Sequence, residues 1–148
     1  MTRSLAQRPT LHSFHHALIL SPNNDGRHWR LVESFAISLP TSVANRPIVV
    51  PKNFVTDFAS VPRYLWSLYP PWGRYGKAAI IHDYLYSAGC FSRAHCDRIF
   101  LLVMQQCGTG TLNAYLLFHF VRLGGWRAWH AHRRGEDSTR IEEFKHSN

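Results

Sequence analysis

His82, Asp83 and Tyr86, followed by Asp97, form the set of residues in this chain best suited to chemistry. On a helix His82 and Tyr86 share a face, while Asp83 is turned by about 100°. With a turn centred on Gly89-Cys90, His82 stands as far before it as Asp97 stands after it. An antiparallel helix pair then sets imidazole and carboxylate at the same height. A carboxylate on one ring nitrogen fixes the tautomer and leaves the other nitrogen to take a proton from water. In that arrangement His82 is a general base, Asp97 its orienter, and Asp83 is left to hold a metal ion. The alternative is a buried network in which Asp97 pairs with Arg93 or Arg98 and His82 is a core histidine. The matched heights favour the catalytic use.

Two further residues lie in Thr56-Asp57-Phe58-Ala59-Ser60, between a strand and a helix. Ser60 reads best as the N-cap of a helix that Pro62 begins, since no G-x-S-x-G elbow surrounds it. Asp57 is a candidate second acidic ligand opposite His82 and Asp83. Cys90, His95, Cys96 and Cys107 make a poor zinc set: Cys96 and Cys107 are too far apart on one helix to converge on an ion. The cysteines read as small core residues, and His12, His15, His16, His130 and His132 as surface residues.

The helices and strands that must position these groups come from 148 residues, 45% hydrophobic and 18% charged, which is ordinary globular usage. A net charge of +8 favours anionic partners, either phospholipid or the surface of another protein. Nucleic acid is less favoured, because no concentrated basic tract exists. The stretch from Phe118 to His130, rich in aromatics and arginine, suits a lipid interface or nucleic acid, but Trp126 and Trp129 packing a helix end onto the core is the preferred reading. Three cysteines without a C-x-x-C pair argue against a disulfide framework and for a reducing compartment. The N-terminus lacks the apolar core of a signal peptide, and no run approaches the ~20 apolar residues of a membrane span. A soluble protein in a reducing compartment, or one that reaches a membrane only from its surface, is therefore expected.

Residues 1–22 read as a loose arm with a short strand near its end, 23–134 as one domain, and 135–148 as a polar tail. Asn23-Asn24-Asp25-Gly26 is turn chemistry. Trp29 and Leu31, then Phe35, Ile37 and Leu39, alternate as two strands of a hairpin or meander, and Pro47-Ile48-Val49-Val50-Pro51 reads as an edge strand. Helical spacing starts at Arg63, stops at Pro70-Pro71, and resumes over 75–87. Ser92 caps a helix over 93–106, and a further helix covers 112–123, ended by Gly124-Gly125. The class is α+β: a small N-terminal antiparallel sheet, then three to four helices with a central antiparallel pair.

Ala78-Ala79-Ile80-Ile81-His82-Asp83-Tyr84-Leu85-Tyr86 followed by Cys96-Asp97-Arg98 resembles the helix-pair core of secreted phospholipases of the A-two class. That resemblance implies His82 as the base, Asp97 as its orienter, Tyr86 as its hydrogen-bonding support, and Asp83 as a ligand of Ca2+. The chain departs from the pattern in having Ala78, Ala79 and Leu85 where that class has cysteines, and in lacking its glycine-rich calcium loop. A broader resemblance rests on Asp25-Gly26-Arg27, Val50-Pro51-Lys52, the segment from Phe54 to Arg63, the HDYLY run, and Arg93 with Asp97. It is to a phage and prophage family catalogued as a domain of unknown function, and it marks residues 56–60 as the segment that completes the site. Together these lead to a small water-activating hydrolase, with lipid esters as first substrate class. The rivals are a non-enzymatic virion or assembly component and a nucleic-acid-binding accessory protein.

Overall fold

The computed structural model describes residues 18–58, 67, 70 and 73–133. The architecture is α+β: the described residues form two small antiparallel sheets followed by four helices. Strand β1 (Leu20–Pro22) turns back into β2 (Trp29–Leu31) with Leu20 opposite Leu31. The turn between them closes through Asn23 N–H to the His28 carbonyl, and Gly26 takes the left-handed backbone (φ 66°) that the turn requires. Asp25 Oδ1 accepts from both the Arg27 and His28 amides at 2.9 Å, which fixes that turn. Strand β3 (Phe35–Ile37) pairs with β4 (Ile48–Val50), and β5 (Val55–Thr56) joins the far edge of β2.

The hairpin expected between the second and third strands is therefore corrected. Both strands exist, but β2 lies between β1 and β5 while β3 belongs to the other sheet. Alternation reports which residues face the core, not which strand is the partner. The short strand expected near the end of the arm is present as β1, at residues 20–22. The rest of that arm, the tail, and the helix expected before Pro70-Pro71 lie outside the described residues.

Helix α1 (Gly76–Ala88) ends at Gly89, whose left-handed backbone (φ 63°) lets its amide reach the Leu85 carbonyl. Ser92 then caps α2 (Arg93–Gln106), its Oγ accepting from the His95 amide at 3.3 Å. With only residues 89–92 between them, the two helices pack antiparallel. Helix α3 (Thr111–Gly124) packs on α2, and α4 (Trp126–Arg133) returns against α1 and α3. Five consecutive α1 residues, from Ala78 to His82, are buried, so this helix is covered on every side. Ile80, Ile81, Ile99, Phe100, Met104 and Leu117 fill the space around it.

A polar group inside such a core is costly unless it is hydrogen-bonded. Among the described residues the buried polar side chains are Thr56, His82 and Asp97. All three lie in the constellation that follows.

Candidate functional site

The residues that α1 presents to α2 are set by its period. His82 and Tyr86 lie one turn apart and reach the same oxygen: His82 Nε2 is 2.7 Å and the Tyr86 hydroxyl 2.5 Å from Asp97 Oδ1. The other carboxylate oxygen accepts from Arg122 Nη1, on α3, at 2.8 Å, and Arg93 Nε stands 3.9 Å away as a looser ion partner. The Arg93 guanidinium also donates to the Val121 carbonyl at 3.4 Å and to that of Arg122, where α3 ends and a cation is favoured. One carboxylate thus joins three helices.

Aromatic rings wall this node. Tyr86 lies 4.0 Å and Phe100 5.1 Å from the His82 ring, and Trp129 of α4 meets Tyr86 edge-on at 5.1 Å. Trp129 thus packs on the core as expected, whereas Trp126 is half exposed. Close fit extends to Gly125, where a Cβ would come within 2.6 Å of the Val121 carbonyl oxygen and 3.1 Å of the Tyr86 hydroxyl. Gly125→Ala is expected to cost about 1–3 kcal/mol in urea unfolding, the usual penalty of overpacking. Gly124, with nothing near its Cβ position, is the control: Gly124→Ala should leave stability unchanged or raise it.

Charge states follow from these contacts. Burial by itself pushes the Asp97 carboxyl up, but the hydrogen bonds from His82, Arg122 and Tyr86 outweigh it and hold the group below the ordinary carboxylate range. Asp97 is therefore ionised. Burial lowers the proton affinity of His82 below that of an ordinary imidazole, and its bond to Asp97 recovers only part of this. Burial, with the Asp97 contact, raises the Tyr86 hydroxyl, which stays protonated and donates. A neutral imidazole facing an acceptor-only oxygen must carry its hydrogen on Nε2, so Nδ1 holds the lone pair.

On the side facing β5, Thr56 is the residue that joins sheet to helix. Its hydroxyl donates to Asp83 Oδ2 at 2.5 Å and accepts from the Phe58 amide at 3.1 Å. Phe58 adopts a left-handed backbone (φ 55°) with its side chain buried, a conformation that costs an L-residue about 1–2 kcal/mol. Asp57 is exposed on the same loop and Asp83 half-buried. Ser60 lies outside the described residues. No group of three His, Cys, Asp or Glu side chains among the described residues is placed to hold a metal ion. Two carboxylates, one already hydrogen-bonded by Thr56, do not by themselves make the six or more oxygen ligands that calcium takes. Cys96 lies in the core as expected, whereas Cys90 is exposed and Cys107 only partly buried, and His95 Nε2 lies 2.8 Å from the Val43 carbonyl.

Sequence spacing brought His82, Tyr86 and Asp97 together, and the structure does the same. It missed Arg122 and Thr56 as partners of the site. Arg122 had a weak signal, as one of the arginines in the aromatic stretch from Phe118 to His130, and Thr56 had its place beside Asp57 in the segment 56–60.

The fold and site define an α+β protein whose central helix pair is closed by a buried histidine–carboxylate–tyrosine node. The family described as Protein of unknown function (DUF1353) matches residues 29–121, and the chain belongs to it. The match spans Thr56, His82, Asp83, Tyr86 and Asp97 and ends one residue short of Arg122. No curated protein and no solved structure matches the chain.

Proposed function

We propose that the protein is a small hydrolase of phage or prophage origin in which His82, oriented by Asp97, activates water, with lipid esters as the substrate class. The observation that carries this reading is the 2.7 Å contact between His82 Nε2 and Asp97 Oδ1, from which a neutral ring carries its hydrogen on Nε2 and its proton-accepting lone pair on Nδ1. As Nδ1 takes a proton from water, the hydroxyl oxygen bonds to the ester carbonyl carbon, and Asp97 stabilises the imidazolium that forms. The imidazolium then returns the proton to the departing alkoxide as the carbon–oxygen bond breaks. An acid and an alcohol leave, and the ring is neutral again. Tyr86 and Arg122 keep the Asp97 carboxylate in place throughout.

The lipid substrate and the phage context rest on the two sequence resemblances, as does a place in the host cytoplasm or on the virion. A calcium ion on Asp83 and Asp57 belongs to the same expectation, and the water activation above is derived without it. The test is release of fatty acid from mixed phospholipid vesicles, with and without calcium, by the wild type and by His82→Gln. Equal turnover by the two proteins, or none by the wild type, sinks the reading.

A second reading is favoured by burial. His82 is 2% exposed and Asp97 0%, which suits a node that holds three helices in register inside a non-enzymatic virion or assembly component. It expects His82→Gln to lower the melting temperature with no turnover defect to find, and the protein to co-purify with particles.

A further inference from the structure

Helix α3 turns an apolar face in both directions. Ala114, Leu117 and Val121 are buried on the side toward α2. On the opposite side Leu112, Tyr115, Leu116, Phe120 and Leu123 recur at helical spacing and are 38–78% exposed, and Trp126 at the start of α4 continues the stripe at 50%. From Leu112 to Leu123 the stripe runs about 16 Å along the helix. An apolar face this long is unusual on a free surface and marks a contact.

Charge decides what it contacts. Between Arg98 and Gly135 the sequence contains no Asp or Glu, while Arg98, Arg122, Arg127, Arg133 and Arg134 are all cationic. Arg127 lies over the Trp126 ring at 5.5 Å, placing a cation beside an indole as at a lipid headgroup boundary. A second copy would bring two surfaces of like charge together in a protein of net charge +8. Nucleic acid is the poorer fit, because three of the six exposed stripe residues, Leu112, Leu116 and Leu123, offer phosphates no donor and bases no ring on which to stack.

We infer that α3 and the start of α4 dock onto an anionic phospholipid surface, with the leucine stripe in the acyl boundary and Arg127 at the headgroups. The inference does not depend on the proposed catalysis.

The test is co-sedimentation of the full chain with phosphatidylglycerol or phosphatidylcholine vesicles, together with a blue shift of tryptophan emission that Trp126→Phe reduces. Binding is expected on the anionic vesicles, weakening as salt is raised. Leu112→Gln/Leu123→Gln, at positions 73% and 78% exposed, should keep the native circular dichroism and bind about 100-fold more weakly. His82→Gln should bind as the wild type does, so failure of catalysis and failure of docking are read separately. The inference is overturned by absence of binding to anionic vesicles, by undiminished binding of the double variant, or by a dimer that the double variant dissolves while vesicles are ignored.

Discussion

Asp97→Asn is expected to lower the free energy of unfolding by about 3 kcal/mol or more, because removing one partner of a buried ion pair leaves the others uncompensated. The substitution keeps the shape and removes the charge. His82 and Tyr86, both buried, then face an oxygen of weaker acceptor strength, and an amide nitrogen takes the place of the other oxygen opposite Arg122. Arg122 is partly exposed and can turn to water, which holds the effect at the lower end of the range for buried pairs. For a domain of this size the melting temperature should fall by about 10 °C. Urea unfolding at neutral pH measures it, and a loss below about 1 kcal/mol would mean that the carboxylate does not join the helices.

Acid should reveal the same node in two stages. The folded-state affinity of His82 for a proton is below the ordinary imidazole value of about 6.5. As pH falls through that value the unfolded chain takes up a proton that the folded chain refuses, so stability declines with falling pH. Asp97, held below the ordinary carboxylate value of about 3.9, contributes stability that is complete above that pH and lost as pH falls through its folded value. His82→Gln removes the first stage and leaves the second.

The largest effect expected on turnover is that of His82→Gln, a loss of about 10²–10⁴-fold, the usual contribution of a positioned general base. Glutamine occupies similar space and can donate to Asp97, so the fold is kept while the proton acceptor is lost. The wild-type rate should stay level through neutral pH and fall only below the ordinary imidazole range, where the ring becomes protonated. Tyr86→Phe removes one of three hydrogen bonds to the carboxylate and should reduce turnover less than His82→Gln does. Losses of turnover that merely follow the losses of stability, alike in both variants, would mean that the node holds the fold and that His82 does not take the proton.

The helix pair was legible because its signals are local. The spacing of His82 and Tyr86, the glycine stop at Gly89 and the Ser92 cap fix a short turn, and the turn fixes which residues of α2 face α1. Arg122 was not legible as a site residue, since it reaches Asp97 from a third helix and no periodicity reports that crossing. Thr56 was overlooked for its neighbour: a carboxylate at Asp57 draws attention in a sequence, yet the hydroxyl beside it makes the bond to Asp83. Helix α4 was hidden by Gly124-Gly125, which reads as an end. In the fold Gly125 keeps right-handed helical backbone and donates to the Val121 carbonyl, so the chain resumes a helix almost at once. The two sheets were misassigned for a different reason, because strand partners are chosen by tertiary packing that alternation does not encode.

Arg122 sits on α3 while the carboxylate it holds governs His82 on α1. Proton affinity at the imidazole is thus a function of where α3 lies. By thermodynamic linkage, any ligand of α3 that changes the Arg122–Asp97 distance must change the pKa of His82, and protonating His82 must change that ligand's affinity by the same factor. A ligand that docks on α3 without moving Arg122 leaves His82 unchanged, whereas one that displaces it must register as a change in the proton affinity of the ring.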